Sequence, residues 1–199
     1  MLECRYMKRI LLLSVFISLG LVTVVARQQP PPAVYAESGT WIQVAPSNAG
    51  FTILMPAKPI EKVDTVEGHP GVENHQMTLQ TKLAGYVVTY LQFPDVITDP
   101  NAIKEMLDNG REGEIELSGG KLKSEKEIKL NEYFGREWVM ELQGGFSATA
   151  GAYWVKRRLY QTVFIMGTDP SDPPGVTRLL KEAGTKFLDS FTLSGDVSK

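Results

Sequence analysis

Ala148-Thr-Ala-Gly-Ala-Tyr-Trp154 begins the stretch that decides the fold of this 199-residue chain. A basic tip, Lys156-Arg157-Arg158, joins it to a second apolar run, Leu159-Tyr-Gln-Thr-Val-Phe-Ile-Met166. Aromatic and β-branched residues recur in both runs, which therefore predict the two strands of a hairpin. The near-continuous apolar character of Val163-Phe-Ile-Met166 predicts a central strand that is buried on both faces of its sheet.

Two segments have the apolar spacing of amphipathic helices. The second follows the hairpin, and Asp172 is its predicted N-cap, ahead of a pair of prolines in the first turn. The first lies earlier in the chain, is capped by Thr98 or Asp99, and ends at residues 118–120. We expect the last two aromatic residues of the second helix to pack on the hairpin. The positions at helical spacing are Ile103, Met106, Leu107 and Gly110 in the first helix, and Val176, Leu179, Leu180, Ala183, Phe187 and Phe191 in the second.

The other ordered segments predict strands separated by turns. Five precede the first helix, and two more lie between that helix and the hairpin. Lys121 to Leu130 alternates charged residues with others, so one face meets water and discourages edge-to-edge pairing. In the next strand Trp138, Met140 and Leu142 share one face. The predicted strands are 41–44, 51–55, 61–66, 72–83, 86–93, 121–130, 137–143, 148–154 and 159–166.

The order of these elements predicts the fold class. Five strands, a helix, four strands and a helix, joined by tight turns, indicate mostly antiparallel pairing in an α+β fold. Two amphipathic helices flanking one sheet predict an α/β/α sandwich. Residues 37–199 are enough for a single domain around one hydrophobic core and too few for two generous domains.

Residues 1–36 have the pattern of an export signal. Three basic residues precede an uncharged, mainly apolar run from Ile10 to Ala26, which is 17 residues long. Cleavage is predicted after Ala26 or after Ala36, with a slight preference for the second. An uncleaved membrane anchor is the alternative, because a bilayer is spanned by roughly 17–25 residues. The prolines at 30–32 then belong to the discarded leader or form a stiff spacer.

The amino-acid composition limits which cellular compartment and which classes of partner are expected. The only cysteine, Cys4, precedes the apolar run, so residues 37–199 contain no disulfide, thiol nucleophile or cysteine metal ligand. Removing the four basic residues and one acidic residue of the leader from the formal net charge of −2 leaves −5 for this part. An acidic domain suits solubility and lacks the basic face that nucleic acid requires. We expect a periplasmic or extracellular protein, attached to the membrane only through an uncleaved N-terminus.

Several short motifs occur in the order found in a known family. They are Phe51-Thr-Ile-Leu-Met-Pro-Ala-Lys-Pro59, Leu122-x-Ser124-Glu-Lys-x-Ile128, Gly135-Arg-Glu137, Arg158-Leu-Tyr160 and Phe187-Leu-Asp-Ser-Phe191. Over roughly residues 40–193 the chain resembles the PsbP-like fold of small secreted bacterial proteins, an antiparallel sheet between helices. That fold is shared by an extrinsic protein of photosystem II and a Ran-binding nuclear import factor. The resemblance implies the fold alone, because no manganese-cluster or Ran-contact motif matches residue by residue.

The two histidines do not form a metal site. His69 lies at a predicted hairpin tip, whereas His75 faces the same side as Met77 and Leu79 and lies opposite Val63. Six residues of extended chain at ~3.3 Å each place the imidazoles on the order of 15–20 Å apart. A shared zinc ion would need each nitrogen at about 2.0–2.1 Å. His75 is therefore predicted to be a half-buried packing residue and His69 a turn residue.

No catalytic constellation is recognisable in the sequence. Gly-x-Ser-x-Gly does not occur, and Ser147 and Ser190 have no evident histidine partner. Ser190 is expected inside the second helix, between Phe187 and Phe191. Residues 169–172 offer oxygen ligands for calcium but lack the spacing and glycine of a known calcium loop. The chain is therefore predicted to be no enzyme and to use no cofactor or metal.

These observations favour a non-catalytic binding or assembly module outside the cytoplasm, with an unknown protein or envelope partner. Lys156, Arg157 and Arg158 form the only basic cluster and are its candidate partner-binding residues. The alternative for these three is a solvated hairpin tip.

Two other functions stay open. A carrier of a lipid or other apolar ligand is suggested by methionines on predicted inner faces. A carboxylate-based hydrolase needs two acids flanking a cleft, and Glu112, Glu114 and Glu116 would scatter around a helix axis. The methionines in question are Met77, Met106, Met140 and Met166.

Overall fold

The computed structural model describes residues 36–66, 71–167, 172 and 175–194. Within them the chain forms two helices, α1 (Pro100–Ser118) and α2 (Val176–Asp189), and ten strands. All nine predicted strands and both predicted helices are present, and a tenth short strand follows α2. The strands are β1 (Ile42–Val44), β2 (Phe51–Met55), β3 (Ile60–Thr65), β4 (Glu73–Gln80), β5 (Ala84–Gln92), β6 (Lys121–Leu130), β7 (Tyr133–Glu141), β8 (Phe146–Val155), β9 (Arg158–Gly167) and β10 (Thr192–Leu193).

The main sheet has seven strands in the order β3-β4-β5-β9-β8-β7-β6, and all neighbours are antiparallel. A smaller sheet has the order β1-β2-β10. The predicted β8–β9 hairpin lies inside the main sheet, where Val163 is opposite both Val87 and Ala150. The prediction of a central strand is confirmed, because successive side chains of β9 enter cores on opposite faces.

The main sheet separates two cores instead of enclosing the single core that chain length suggested. Trp138 and Leu107 belong to the core beneath α1. Phe51, Tyr86 and Phe187 belong to the core on the other face, which α2 and the small sheet cover. A sheet buried on both faces needs apolar side chains at consecutive positions. The result is the predicted α+β architecture, a mostly antiparallel sheet between two amphipathic helices.

The two helices begin differently. Asp99 caps α1 as predicted, since its side chain accepts a hydrogen bond from the Asn101 backbone N at 3.0 Å. Gly119, with a left-handed φ of 60°, ends α1. The N-cap of α2 is Gly175, which has no side-chain capping bond, so the prediction of Asp172 as N-cap is wrong. The helix begins after Gly175, three residues beyond Asp172.

The C-terminal end of α2 also differs from the prediction. Ser190 lies just beyond the helix, and its hydroxyl donates to the Phe187 carbonyl at 2.7 Å. The same hydroxyl accepts from the Leu54 backbone N at 2.9 Å, which joins the helix end to β2. Phe191 then stacks parallel to Tyr153 of β8, with ring centroids 5.8 Å apart. The expected packing of this aromatic end on the hairpin is confirmed, although Phe191 is outside the helix.

The charged face of β6 contacts α1 as well as solvent. Lys104 pairs with Glu127 at 3.1 Å, and Arg111 pairs with Glu125. A β-bulge after Leu122 shifts the alternation and brings that leucine onto the charged face, where it is 40% exposed. The expectation of a face in contact with water alone is therefore corrected, because helix side chains cover part of it.

Candidate functional site

Backbone hydrogen bonds attach the predicted basic tip, residues 156–158, to the rest of the protein. Lys156 has a left-handed φ of 58°, and its carbonyl accepts from the Ile97 backbone N at 3.2 Å. The Arg157 carbonyl accepts from the Phe93 backbone N at 2.9 Å. All three tip residues are half-buried. The loop that leads into α1 thus holds the tip, and the tip is half-buried where the alternative expected full exposure to solvent.

Arg158 is directed across the sheet. Its Nε and Nη2 donate to Gln92 Oε1 at 3.1 and 2.9 Å. Its Nη1 donates to the Ala49 carbonyl at 3.0 Å and to the Tyr160 hydroxyl at 3.3 Å. The guanidinium carbon also lies 5.6 Å from the centroid of the Tyr90 ring, within cation–π range. Most of the guanidinium donors are used inside the protein, so Arg158 forms a fixed wall.

That wall borders a groove of about 540 Å³, which lies on the α2 face of β3, β4 and β5. His75 stacks on Tyr90 with ring centroids 4.3 Å apart, and its Nε2 lies 3.0 Å from Glu73 Oε2. Val63 is paired with His75 across the strands and is 59% exposed at the outer side of the groove. The predicted register and the half-buried state of His75 are both confirmed. We call this site, built on Val63, Glu73, His75, Tyr90 and Arg158, the β3 groove.

Electrostatics distinguish the β3 groove from a simple anion site. Burial raises the pKa of Tyr90, and the positive charge of Arg158 partly opposes that rise. Glu61 of β3 also lines the groove, so the carboxylates of Glu61 and Glu73 share its lining with the Arg158 guanidinium. Such a mixed rim around stacked rings suits a polypeptide segment better than a strongly anionic ligand.

A second groove, of about 420 Å³, lies beside α2 on the same face of the main sheet. Phe164 and Met166 line it, and the ion pair of Lys126 and Glu137, at 2.8 Å, stands on its rim. Ser147 also lines this groove, but no histidine does. Among the described residues of this groove, Ser147 thus has no histidine to serve as its base.

The four methionines that suggested an apolar-ligand carrier are part of the cores. Met77, Met106 and Met140 are buried among other apolar side chains. Met166 is half-buried and packs against the core on the α2 face. Core packing therefore accounts for their positions.

Sequence analysis did not single out Glu114, whose side chain is buried beneath α1. Its Oε2 accepts from Trp138 Nε1 and from Gln161 Nε2, both at 3.0 Å. Burial raises its pKa to about 7, although the two hydrogen bonds favour the charged form. Glu112 and Glu116 are exposed on the same helix, as expected for carboxylates spread around its axis. The spacing of Glu114 was the sequence signal for its burial, because it lies four residues after Gly110 on the apolar stripe of α1.

In the described ranges, no group of three or more His, Cys, Asp or Glu side chains could hold a metal ion. His69, and Asp169 of the calcium segment, lie outside the described residues. Neither helix of the described part is long and apolar enough to cross a membrane.

Comparison with known proteins gives a likeness of structure only. No family model matches the chain, and no curated protein matches it. The solution structure of cyanobacterial PsbP, CyanoP, from Synechocystis sp. PCC 6803 is similar, with a TM-score of 0.52 and 14% sequence identity. That match covers 88% of this chain and 98% of the cyanobacterial one. A Pseudomonas aeruginosa protein of unknown function matches with a TM-score of 0.37 and 14% identity, over 75% of this chain and 96% of its own. The cyanobacterial likeness supports the prediction made from the short motifs, and the chain has a PsbP-like fold.

Proposed function

We propose that this chain is an exported, non-catalytic binding module that holds a protein partner at the β3 end of its main sheet. The proposal depends on one observation, the position of an open edge strand beside the β3 groove. Every residue of β3 except Asp64 is exposed, and Ile60 and Val63 are 75% and 59% exposed. Large apolar side chains at a sheet edge are typical of surfaces that bind another chain.

The chemistry of the edge favours an extended polypeptide as the partner. An edge strand presents unpaired backbone N–H and C=O groups, which an added strand can satisfy. The β3 groove then offers side-chain selectivity next to the strand, through the stacked rings of His75 and Tyr90. The candidate residue Arg158 takes part as the fixed wall of this groove. Lys156 and Arg157 belong to the turn that positions Arg158, through backbone hydrogen bonds from Ile97 and Phe93.

The non-catalytic part of the proposal is supported by how the polar groups are engaged. The Nε2 of His75 lies against the carboxylate of Glu73, and its ring lies flat on Tyr90. The Arg158 donors are largely occupied by Gln92 and by the Ala49 carbonyl. The groove residues thus stabilise one another, whereas a catalytic site needs a nucleophile within reach of a base. Export rests on the leader pattern of residues 1–36.

A photoreactive amino acid at Val63 tests the proposal in cells that produce the protein. We expect a discrete protein adduct from position 63 and none from Leu122, which is 40% exposed on the opposite edge strand and serves as the control. Absence of the Val63 adduct, or equal adducts from both positions, would overturn the assignment of the site. A turnover of substrate by the purified protein that is abolished by His75→Ala would overturn its non-catalytic character.

A further inference from the structure

We infer that the chain bound at the β3 edge is a second copy of this protein, paired antiparallel through β3 with Val63 on the twofold axis. This inference rests on the proposed function, because it names the occupant of the same edge. The pairing would join two seven-stranded sheets into one continuous sheet across the axis. Three features of β3 lead to it: the open edge, the sequence of charges and the exposed valine.

The edge of β3 is free in the described part of the chain. The strand pairs with β4 and stands at the end of the strand order, so its outer side has no strand beside it there. In an antiparallel ladder every second residue directs both its N–H and its C=O outward. A second β3 strand running in the opposite direction can pair with these groups.

The side-chain charges select one register. Paired residues share a sheet face, so a twofold axis perpendicular to the sheet must pass through one residue pair. An axis at Lys62 would place two ammonium groups opposite each other, and an axis at Asp64 would oppose two carboxylates. An axis at Val63 places Lys62 opposite Asp64 of the partner subunit, and this occurs twice. Like charges directly opposite destabilise a strand pair and unlike charges stabilise it, so the Val63 register is favoured.

The remaining contacts of that register are compatible. The two Val63 side chains, each 59% exposed, would meet at the axis on the face of the β3 groove. Glu61 would lie opposite the uncharged Thr65 of the partner subunit. Within one chain Lys62 and Asp64 already form an ion pair at 2.7 Å on the other face of β3. Pairing therefore gathers four alternating charges on one face and an apolar contact on the other.

Disulfide crosslinking of the full-length protein tests the axis, in a Cys4→Ser background that removes the only native cysteine. Residues directly opposite in an antiparallel pair have Cβ atoms about 4.5–5.5 Å apart, close to what a disulfide accepts. We expect Val63→Cys to give a reducible covalent dimer on mild oxidation. Ile60→Cys, 75% exposed, is the matched control. Its two copies would lie on the order of 20 Å apart at ~3.3 Å per residue, and no dimer is expected.

Charge reversal tests the register in the same Val63→Cys background. Lys62→Asp alone and Asp64→Lys alone should each reduce the crosslinked dimer at least tenfold, because each places like charges opposite each other. A mixture of the two variants should restore it, since the two chains then complement each other. The double variant Lys62→Asp/Asp64→Lys should also restore it. Recovery in the mixture would show that neither variant had failed to fold.

The outcomes separate this inference from the proposed function. Equal crosslinking at positions 60 and 63, no crosslinking at 63, or no recovery in the mixture would overturn the twofold pairing. If Val63 then still formed a photoadduct with a different protein, the binding site would stand and only its occupant would change. If no photoadduct formed either, both the inference and the proposed function would fall.

Discussion

The two edges of the main sheet are built in opposite ways. The β6 edge carries ion pairs to neighbouring elements, such as Lys126 with Glu137 at 2.8 Å and Lys104 with Glu127 at 3.1 Å, and a β-bulge interrupts it. The β3 edge is short and regular and exposes large apolar side chains. Charges and bulges are the ordinary means of preventing strand addition. The β3 strand also carries charges, at Glu61, Lys62 and Asp64, but it has no bulge, so β6 is the better protected of the two edges.

The difference follows from where the first helix lies. α1 packs against β7 and β8, and its Arg111 reaches Glu125 on the neighbouring β6. Glu114 of the same helix reaches across the sheet to Trp138 and Gln161. Neither helix reaches β3 in this way, so substitutions near β6 and β7 should affect stability and substitutions on β3 should affect association.

The largest expected effect is at Trp138 on β7, in the core beneath α1. Trp138→Ala should lower the free energy of unfolding by about 3–5 kcal/mol, because it leaves a cavity in the core beneath α1. It also removes the indole donor to Glu114. Denaturant titration measures the change.

Val63→Ala on the open edge is the matched comparison for Trp138→Ala. It should shift the free energy of unfolding by no more than about 0.5 kcal/mol, because the side chain is exposed. Similar losses from the two variants would contradict the division of the sheet into a structural side and a binding side.

The next effect is the dependence of stability on pH through Glu114. Its pKa is about 7 in the folded protein and near the ordinary 4.5 when unfolded, so the native state keeps a proton that the unfolded chain releases. The contribution of Glu114 to stability is therefore fully present below pH 4.5 and is lost as pH rises to about 7, by on the order of 3 kcal/mol in total. Glu114→Gln keeps an acceptor oxygen and cannot ionise, so this part of the decline should disappear.

Unfolding free energies of wild type and variant at several pH values between 4 and 8 measure the effect of Glu114. Other carboxylates also titrate in this range, so the informative quantity is the difference between the two proteins. Glu116→Gln, at an exposed position of the same helix, is the control and should keep the wild-type slope. A Glu114→Gln profile parallel to that of the wild type would show that the buried carboxyl is not protonated at neutral pH.

A smaller loss is expected where β7 and β8 approach most closely. A methyl group at Gly135 would lie 2.6 Å from the Ala152 carbonyl oxygen and 2.5 Å from the Tyr153 ring. Gly135→Ala should therefore cost about 1–3 kcal/mol by overpacking. Gly85→Ala on β5 is the control, because its methyl would meet Ile165 at 3.7 Å, an ordinary contact. Thermal unfolding of both variants checks this, and equal losses would show that the close contacts at Gly135 are not the cause.

Sequence patterns predicted the features that depend on neighbours along one strand or helix. The two-residue period of a strand explains three of these features. They are the alternation in β7, the Val63–His75 pairing and the burial of β9 on both faces. The resemblance of short motifs also led to the fold, because they mark turns and packing positions. Gly184 permits close packing of α2 on the sheet, because a methyl there would lie 2.5 Å from the Phe164 ring.

Features that depend on distant parts of the chain could not be predicted in this way. The Arg158 guanidinium meets Gln92 and the Ala49 carbonyl, which are 66 and 109 residues away in sequence. The sequence alone therefore left both the partner-binding and the solvated role of the basic tip open. Spacing places Glu114 on the apolar stripe of α1, but the partners of its carboxylate, Trp138 and Gln161, lie 24 and 47 residues away in sequence. The β3 groove is likewise assembled from four strands and a loop, so its residues share no motif.

A small change in stability is expected when the charges of the β6 edge are removed. Lys126→Val/Glu127→Val removes two exposed ion pairs of β6, each worth about 0–1 kcal/mol, so the unfolding free energy should change by no more than about 1 kcal/mol. Association should change far more, because two charges that oppose strand addition become β-branched apolar side chains. Sedimentation velocity should show concentration-dependent species larger than those of the wild type.

Ser124→Val is the control for the opened edge, since it adds an exposed apolar residue to β6 and leaves the charges in place. If the charges are what protect β6, Ser124→Val should sediment like the wild type and only the double variant should associate. If neither variant associates, the bulge after Leu122 is the protecting feature, because it disturbs the regular hydrogen-bonding edge that an added strand requires. The contrast with β3 would then depend on backbone regularity, and β3 would bind because its edge is unbroken.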